Sequence, residues 1–197
     1  MEKNKEYKNE IKNLKIVEKR RKNKKVIEYG WIIKITCIAF IISFVFSFSS
    51  EIIIPNVNAI IGIILVFLFI IIGIIFDMIG IAVTSADIKP FNSMSSRKVK
   101  GSKIAVKMIQ NADKVSSFCN DVIGDICGIV SGSAGTIIAL SLSNLLSTHK
   151  FVTTLFVTSF IAALTIGGKA LGKSYAINKN NTILFKFAKF ISHFVRE

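Results

Sequence analysis

Histidine and cysteine are scarce in this sequence, and their scarcity argues against several classes of site. The chain of 197 residues has two histidines, His149 and His193, and three cysteines. There is no Ser-His-Asp set, and Cys119 and Cys127 stand eight residues apart without a histidine nearby, so no metal-ligand spacing is present. We therefore expect no enzyme, and we interpret these two cysteines and Cys37 as buried free thiols.

Acidic residues are also few, and the resulting net positive charge indicates an anionic binding partner. The chain has 12 Asp and Glu against 26 Lys and Arg, a net charge of +14, yet 51% of its residues are hydrophobic. Residues 1–28 form a basic arm with almost no aromatic side chains that would stack on bases, so we expect no nucleic-acid partner. Apolar residues inside a lipid bilayer, with basic residues beside anionic headgroups, account for both features.

The apolar residues are concentrated in four blocks, which predict four transmembrane helices. A hydrocarbon core about 30 Å thick requires about 20 helical residues. The first block follows about thirty residues of mixed charge, which favours a retained helix over a signal peptide. The third and fourth blocks contain Ser, Thr and Gly, so we expect them to pack against other helices. The blocks are Trp31–Ser49, Val57–Ser85, Cys119–Leu146 and Phe151–Gly167.

The distribution of basic residues predicts the orientation of the chain in a cell (inner) membrane. Eleven Lys and Arg precede Trp31, seven lie between Asp87 and Ser116, and six follow Gly168. The loops on the opposite side, Ser50–Asn56 and Ser147–Lys150, hold one lysine between them. The positive-inside rule therefore places both termini and the connection between the second and third blocks in the cytoplasm.

Two amphipathic segments accompany the blocks. In the Asp87–Ser116 connection, from Val99 onward, apolar and basic side chains fall on opposite helical faces, which is typical of a helical belt at the membrane interface. The tail from Asn181 shows the same pattern and predicts a juxtamembrane helix whose apolar face includes Phe190 and Phe194.

The predicted organisation is a basic arm at 1–28, an extra N-terminal span and short outer loop at 29–56, a three-span domain at 57–180 containing the belt at 87–116, and the juxtamembrane helix at 181–197.

One nucleotide-binding motif is present but is not interpreted as functional. Gly167–Ser174, GGKALGKS, fits the pattern G-x-x-x-x-G-K-[ST]. That loop binds phosphate only between a β-strand and a helix of a βαβ unit. Here a predicted transmembrane helix precedes it, so we expect no nucleotide hydrolysis.

The order of these segments resembles the transmembrane domain of the CorB/CorC and cyclin-M magnesium and cobalt transporter family. The second block ends in FDMIGIAVTSAD, the belt reads SRKVKGSKIAVKMIQNADKVSSF, and the last block ends in GGKALGKSYAINKNN. The matching residues are Ala82, Thr84 and Ser85 in the first segment, Gly101, Ala105, Ile109 and Phe118 in the second, and Gly167, Lys173 and Ala176 in the third.

The resemblance implies a homodimer that transports divalent cations, Mg²⁺ or Co²⁺. The family's acidic residues fall at Gly80 and at Gly168 or Lys169 here, and the family's proline falls at Gly172. The paired CBS modules common in the family do not follow the membrane domain in this sequence.

A cluster of polar residues is the candidate cation site. Asp121 and Asp125 are spaced i and i+4 on one helical face, next to Asn120 and the small residues Gly124, Gly128 and Gly132. Asp77 lies three residues before Gly80. We interpret Asp77, Thr84, Ser85, Asn120, Asp121 and Asp125 as oxygen ligands for Mg²⁺ in a hydrated cavity.

Alternative roles for the same acids remain open. In the first alternative Asp121 is an N-cap or first-turn acid of a helix, favoured there by the helix dipole, and in the second Asp125 pairs with a lysine of the belt. The second function hypothesis is a non-transporting membrane scaffold that binds anionic lipid or a partner subunit.

Overall fold

A computed structural model describes residues 29–53, 58–146 and 149–194, which form helices joined by short turns, with no β-strand in these ranges. The predicted arm at 1–28 lies outside the described residues. The helices are α1 (Tyr29–Ile53), α2 (Ala59–Ser85), α3 (Ile88–Ser96), α4 (Ser102–Gln110), α5 (Ala112–Ser117), a π-helical segment (Phe118–Gly124), α6 (Asp125–Leu146), α7 (Lys150–Asn178) and α8 (Asn180–Ile191).

Four helical runs in the described part of the chain are long and apolar enough to cross a membrane. They are Tyr29–Ile53, Ile60–Ser85, Ala112–Asn144 and Lys150–Asn178. The predicted all-α fold with four such helices is therefore confirmed. The third run begins before its apolar block, because α5 and the π-helical segment continue into α6 without a break.

The helices α2, α6 and α7 pack against one another and form the centre of the bundle. Their shared core consists of Val66, Ile70, Ala134, Ile138 and Ile161. In α6, half of the most apolar stretch is buried, as expected for a span that contains Ser and Gly. By contrast, α7 buries few residues, such as Gly172 and Ala176, and exposes large side chains such as Phe151 and Leu171.

The first helix buries little of its surface. The described residues from Ile38 onward form one compact unit, and within it the ring of Phe46 packs edge-on against Phe69 of α2 at 6.0 Å. Ser50 is the buried residue of α1. The expectation of three buried cysteines is wrong in one case, because Cys37 lies on the exposed surface of α1 whereas Cys119 and Cys127 are buried.

The belt differs from the single amphipathic segment predicted for 87–116, because it folds into three helices. The Asp87 carboxylate caps α3 by accepting a hydrogen bond from the Lys89 backbone N–H at 3.0 Å. The chain then turns at Lys98 and Gly101, which both have positive φ, and α4 and α5 follow. These helices, α8 and one end of α2 enclose a second core, formed by Ile79, Val83, Phe91, Ala105, Met108, Cys119, Leu184 and Ala188. We call this end of the bundle the basic end.

Two asparagines join the corners of the basic end. The side-chain amide of Asn180 donates to the Ser85 carbonyl at 2.8 Å, where α2 ends. The side-chain oxygen of Asn181 accepts from the backbone N–H of Asp87 at 3.2 Å, where α3 begins. The junction between α7 and α8 is thereby held against the junction between α2 and α3.

The C-terminal helix has two apolar sides, which corrects the prediction of a single apolar face. Leu184 and Ala188 are fully buried against α2 and α4. Phe190 and Phe194 are 63% and 78% exposed, and their rings lie 5.2 Å apart. Most of the predicted apolar face therefore packs on the belt, because the belt supplies a core that a lone interfacial helix would lack.

We predict that Gly101→Ala destabilises the protein by about 2 kcal/mol, because Gly101 has a φ of 88° and a Cβ there would lie 2.8 Å from the Lys189 Cα. The measurement is the thermal unfolding midpoint in detergent. Gly167→Ala is the matched control, since Gly167 is helical and no atom lies within 4 Å of its Cβ position. Equal midpoints for the two variants would contradict the prediction.

A polar cluster at the basic end of the spans

Two acidic side chains, Asp77 and Asp125, reach the same level of the bundle from two different helices. Asp77 lies 18 residues after Ala59, so α2 carries it about 27 Å along the helix axis. Asp125 lies 21 residues before Leu146, about 32 Å along α6. Since a hydrocarbon core is about 30 Å thick, we expect both carboxylates near its edge at the basic end when these helices span a membrane.

Lys169 of α7 is the basic partner of these acids. It lies 19 residues after Lys150, about 29 Å along its helix, and therefore at the same level. Its Nζ is 3.6 Å from the Asp125 Oδ1, and the Lys169 and Asp125 side chains are 27% and 66% exposed. The alternative that Asp125 pairs with a lysine of the belt is thus wrong, because its partner belongs to the last span.

Asp77 joins this group through electrostatic interactions. Its carboxylate interacts with Lys169 most strongly among the charged groups, and also with Asp125, Lys173 and Asp121. The group therefore contains three acids and two lysines, and its formal charge is −1. We call these five residues the polar cluster.

The N-cap alternative for Asp121 is also wrong, although Asp121 lies in the first turn of the π-helical segment. Asp121 is exposed in the π-helical segment, and helical backbone continues on both sides of it from Ala112 to Leu146. No free helix end is present at this position for its carboxylate to cap.

Asn120 faces α2 at the position where the family resemblance expects an acid. A Cβ placed on Gly80 would contact the Asn120 side-chain amide. The amide nitrogen donates to the Ser116 hydroxyl at 3.4 Å, whereas the Oδ1 atom is buried without a hydrogen-bond partner among the described residues. The contact explains why Gly80 suits this position, because any side chain there would displace Asn120.

The other predicted ligands lie apart from the polar cluster. Thr84 and Ser85 are seven and eight residues beyond Asp77, about 11 Å along α2. The Thr84 hydroxyl donates to the Ile81 carbonyl at 2.9 Å, and the Ser85 carbonyl accepts from Asn180. Within the described residues, no three His, Cys, Asp or Glu side chains are close enough to hold one metal ion.

Only one of the three glycines in the predicted ridge of small residues packs closely against another part of the same chain. Gly124 is buried, and its Cβ position lies 3.6 Å from the Lys169 Nζ. Gly128 and Gly132 have no atom within 4 Å of their Cβ positions. The close approach of another helix expected for this ridge is therefore observed at Gly124 and not at the other two glycines.

Lys169 and Lys173 are members of the site that were not among its predicted residues. Both lie in GGKALGKS, which is helical throughout and belongs to α7. Lys169 and Lys173 are four residues apart, as are Asp121 and Asp125. Two basic and two acidic side chains with the same spacing are the sequence signal that could have predicted that the two helices face each other.

The helices define the class of the protein. With four helices in its described ranges that are long and apolar enough to cross a membrane, the chain is a multi-pass membrane protein. In comparisons with known proteins, the chain matches no family model, no curated protein and no solved structure. The resemblance to the CorB/CorC and cyclin-M family stays a prediction from the sequence.

We predict that Gly80→Ala destabilises the protein by about 1–3 kcal/mol, because the new methyl group would overlap the Asn120 side chain. Asn120→Ala in the same chain should restore most of the loss, since it removes the atoms that overlap. The measurement is a double-mutant cycle of thermal unfolding midpoints. Strictly additive effects would show that the two residues do not meet.

Proposed function

We propose that this protein transports divalent cations, Mg²⁺ or Co²⁺, or controls their level, and that the polar cluster binds the cation. The observation that carries the proposal is the Asp125 carboxylate 3.6 Å from the Lys169 Nζ, with Asp77 in electrostatic interaction with both. No three acids of the described residues lie close enough to hold one ion together, so the cation binds through one or two carboxylates. Ionisable groups at membrane depth are costly to place, and they commonly mark the path of a transported ion.

The chemistry of the cluster suits a hydrated divalent cation. Mg²⁺ keeps several of its waters and binds through one or two carboxylates, so it does not require a closed cage of protein ligands. The Asp125 side chain is 66% exposed and accessible to such an ion. The Nζ of Lys169 at 3.6 Å is a loose ion pair, and we interpret it as a tethered cation that the divalent ion displaces.

The proposed orientation follows from the charge of the basic end. Seven Lys and Arg lie between Asp87 and Ser116 and six follow Gly168, and the positive-inside rule puts such segments in the cytoplasm. In this orientation the polar cluster opens toward the cytoplasm, and both termini lie there.

We predict that Asp125→Asn abolishes the protection of the purified protein by Mg²⁺ in a thermal melt. Binding to the native state alone stabilises it by about 2.7 kcal/mol when the ligand concentration is 100 times Kd. Asp87→Asn is the control, because it also removes a carboxylate at the basic end and asparagine caps α3 equally well. Equal protection of the Asp125→Asn variant and the parent would contradict the proposal.

We predict that Lys169→Gln lowers the Mg²⁺ concentration needed for half-maximal protection, by up to about fivefold. An exposed ion pair contributes about 1 kcal/mol or less. Lys169 competes with Mg²⁺ for the Asp125 carboxylate by this amount, and the variant removes the competitor. Lys179→Gln, at an exposed position just after α7, is the matched control. An unchanged or raised concentration would mean that Lys169 only holds the helices together.

A second candidate is a membrane scaffold that does not transport ions. Gly80 and Gly168, which take the places of the family acids, have Asn120 and Ile74 side chains packed against them, and this favours the scaffold. Mg²⁺ flux into liposomes containing the purified protein separates the two functions. Flux above that of empty liposomes supports transport, whereas the absence of both flux and Mg²⁺ protection supports the scaffold.

A further inference from the structure

The end of α8 presents two phenylalanines that the protein itself does not cover. The Phe190 and Phe194 side chains are 63% and 78% exposed and lie against each other. A neighbouring side of α8 is held by buried contacts of Leu184 and Ala188 in the second core. The rotation of α8 is thereby set, and the aromatic pair lies on the outer surface of the basic end.

The course of α8 brings this pair toward the hydrocarbon. Its first residue, Asn180, bonds to Ser85 at the end of α2, whereas Phe187 packs against Phe76 with ring centroids 6.3 Å apart. Phe76 precedes Ser85 by nine residues, which corresponds to a distance of about 14 Å along the axis of α2. The C-terminal helix therefore runs back along α2, from the end of the span toward its middle.

The level of the aromatic pair follows from this direction. Phe76 lies 17 residues after Ala59, about 26 Å along α2, which is inside a hydrocarbon core about 30 Å thick. Phe190 is three residues beyond Phe187 and lies about 4 Å farther in the same direction. At this level we expect the acyl-chain region of the leaflet to surround the protein.

Basic side chains flank the aromatic pair. Lys186, Lys189 and His193 are exposed on the same helix and the turn that follows it. The basic end as a whole has few acids to balance its lysines, with two aspartates between Asp87 and Ser116 and one glutamate after Gly168. Lysine side chains extend along apolar surface and place their amines at the headgroups, where anionic lipid attracts them.

We propose that the Phe190 and Phe194 end of α8 inserts into the leaflet at the basic end, and that Lys186 and Lys189 bind anionic lipid headgroups there. The exposed aromatic pair, its level along α2 and its charge complementarity to anionic lipid all favour lipid as the occupant. This surface is separate from the polar cluster, and the proposal holds whether or not the protein transports a cation.

The first test measures the depth of the aromatic pair. Phe194→Trp is made in a Trp31→Phe background, so that the chain has a single indole, and the protein is reconstituted in vesicles of brominated phospholipid. Lipids brominated in the acyl chain should quench this variant strongly. Thr182→Trp in the same background is the control, because Thr182 is exposed at the start of α8, beside the end of α2, and it should be quenched weakly.

Quenching of the Phe194→Trp variant no stronger than that of the Thr182→Trp variant would overturn the proposal, since the pair would then face water or protein. Thermal melts of both variants check that the fold is kept.

The second test measures headgroup preference. The same Phe194→Trp protein is placed in mixed vesicles in which either the phosphatidylglycerol or the phosphatidylcholine is brominated. Phosphatidylglycerol should quench several-fold more effectively, and Lys186→Gln with Lys189→Gln should bring the ratio close to one. Lys179→Gln, at the corner between α7 and α8, should leave the ratio unchanged. A ratio of one before any lysine is replaced, or a ratio insensitive to the paired replacement, would overturn the headgroup part of the proposal.

Discussion

The cost of placing a carboxylate at the edge of hydrocarbon is the constraint on which the basic end depends. Asp77 and Asp125 lie at that edge on α2 and α6, so each needs a basic or hydrated neighbour inside the bundle. Lys169 supplies the charge only if α7 passes close to both helices. The close packing of the three central spans and the composition of the polar cluster therefore require each other, because separated helices would leave the acids facing lipid.

The same helix, α2, connects the two halves of the architecture. Its first part contributes Val66 and Ile70 to the core among the spans. Its last part contributes Ile79 and Val83 to the core enclosed by the belt and α8. The belt is thus a packed cap on α2 and not a helix lying separately on the bilayer, and the outer side of α8 remains exposed.

The spans could be predicted from composition, because long apolar blocks have one stable arrangement in a bilayer. The arrangement around the acids could not. In the sequence, Lys169 belongs to the segment GGKALGKS, whose nucleotide-binding motif is not interpreted as functional. Only the path of α7 in the structure shows that its amine lies beside Asp125. Asp121 resembles a capping residue as long as α5 and α6 are treated as separate helices. The amphipathic pattern of α8 likewise gives no indication that Phe190 faces away from Leu184, since the pattern does not reveal the core provided by the belt.

The two asparagine bonds at the corners of the basic end form late in synthesis, because they join parts of the chain that lie far apart in the sequence. Asn180 and Asn181 bond to residues that precede them by 95 and 94 positions. Until α8 has left the ribosome, Val83, Phe91 and Ala105 lack the covering that Leu184 and Ala188 provide. A nascent chain of this architecture therefore carries an open apolar surface from the synthesis of α4 until α8 packs onto it.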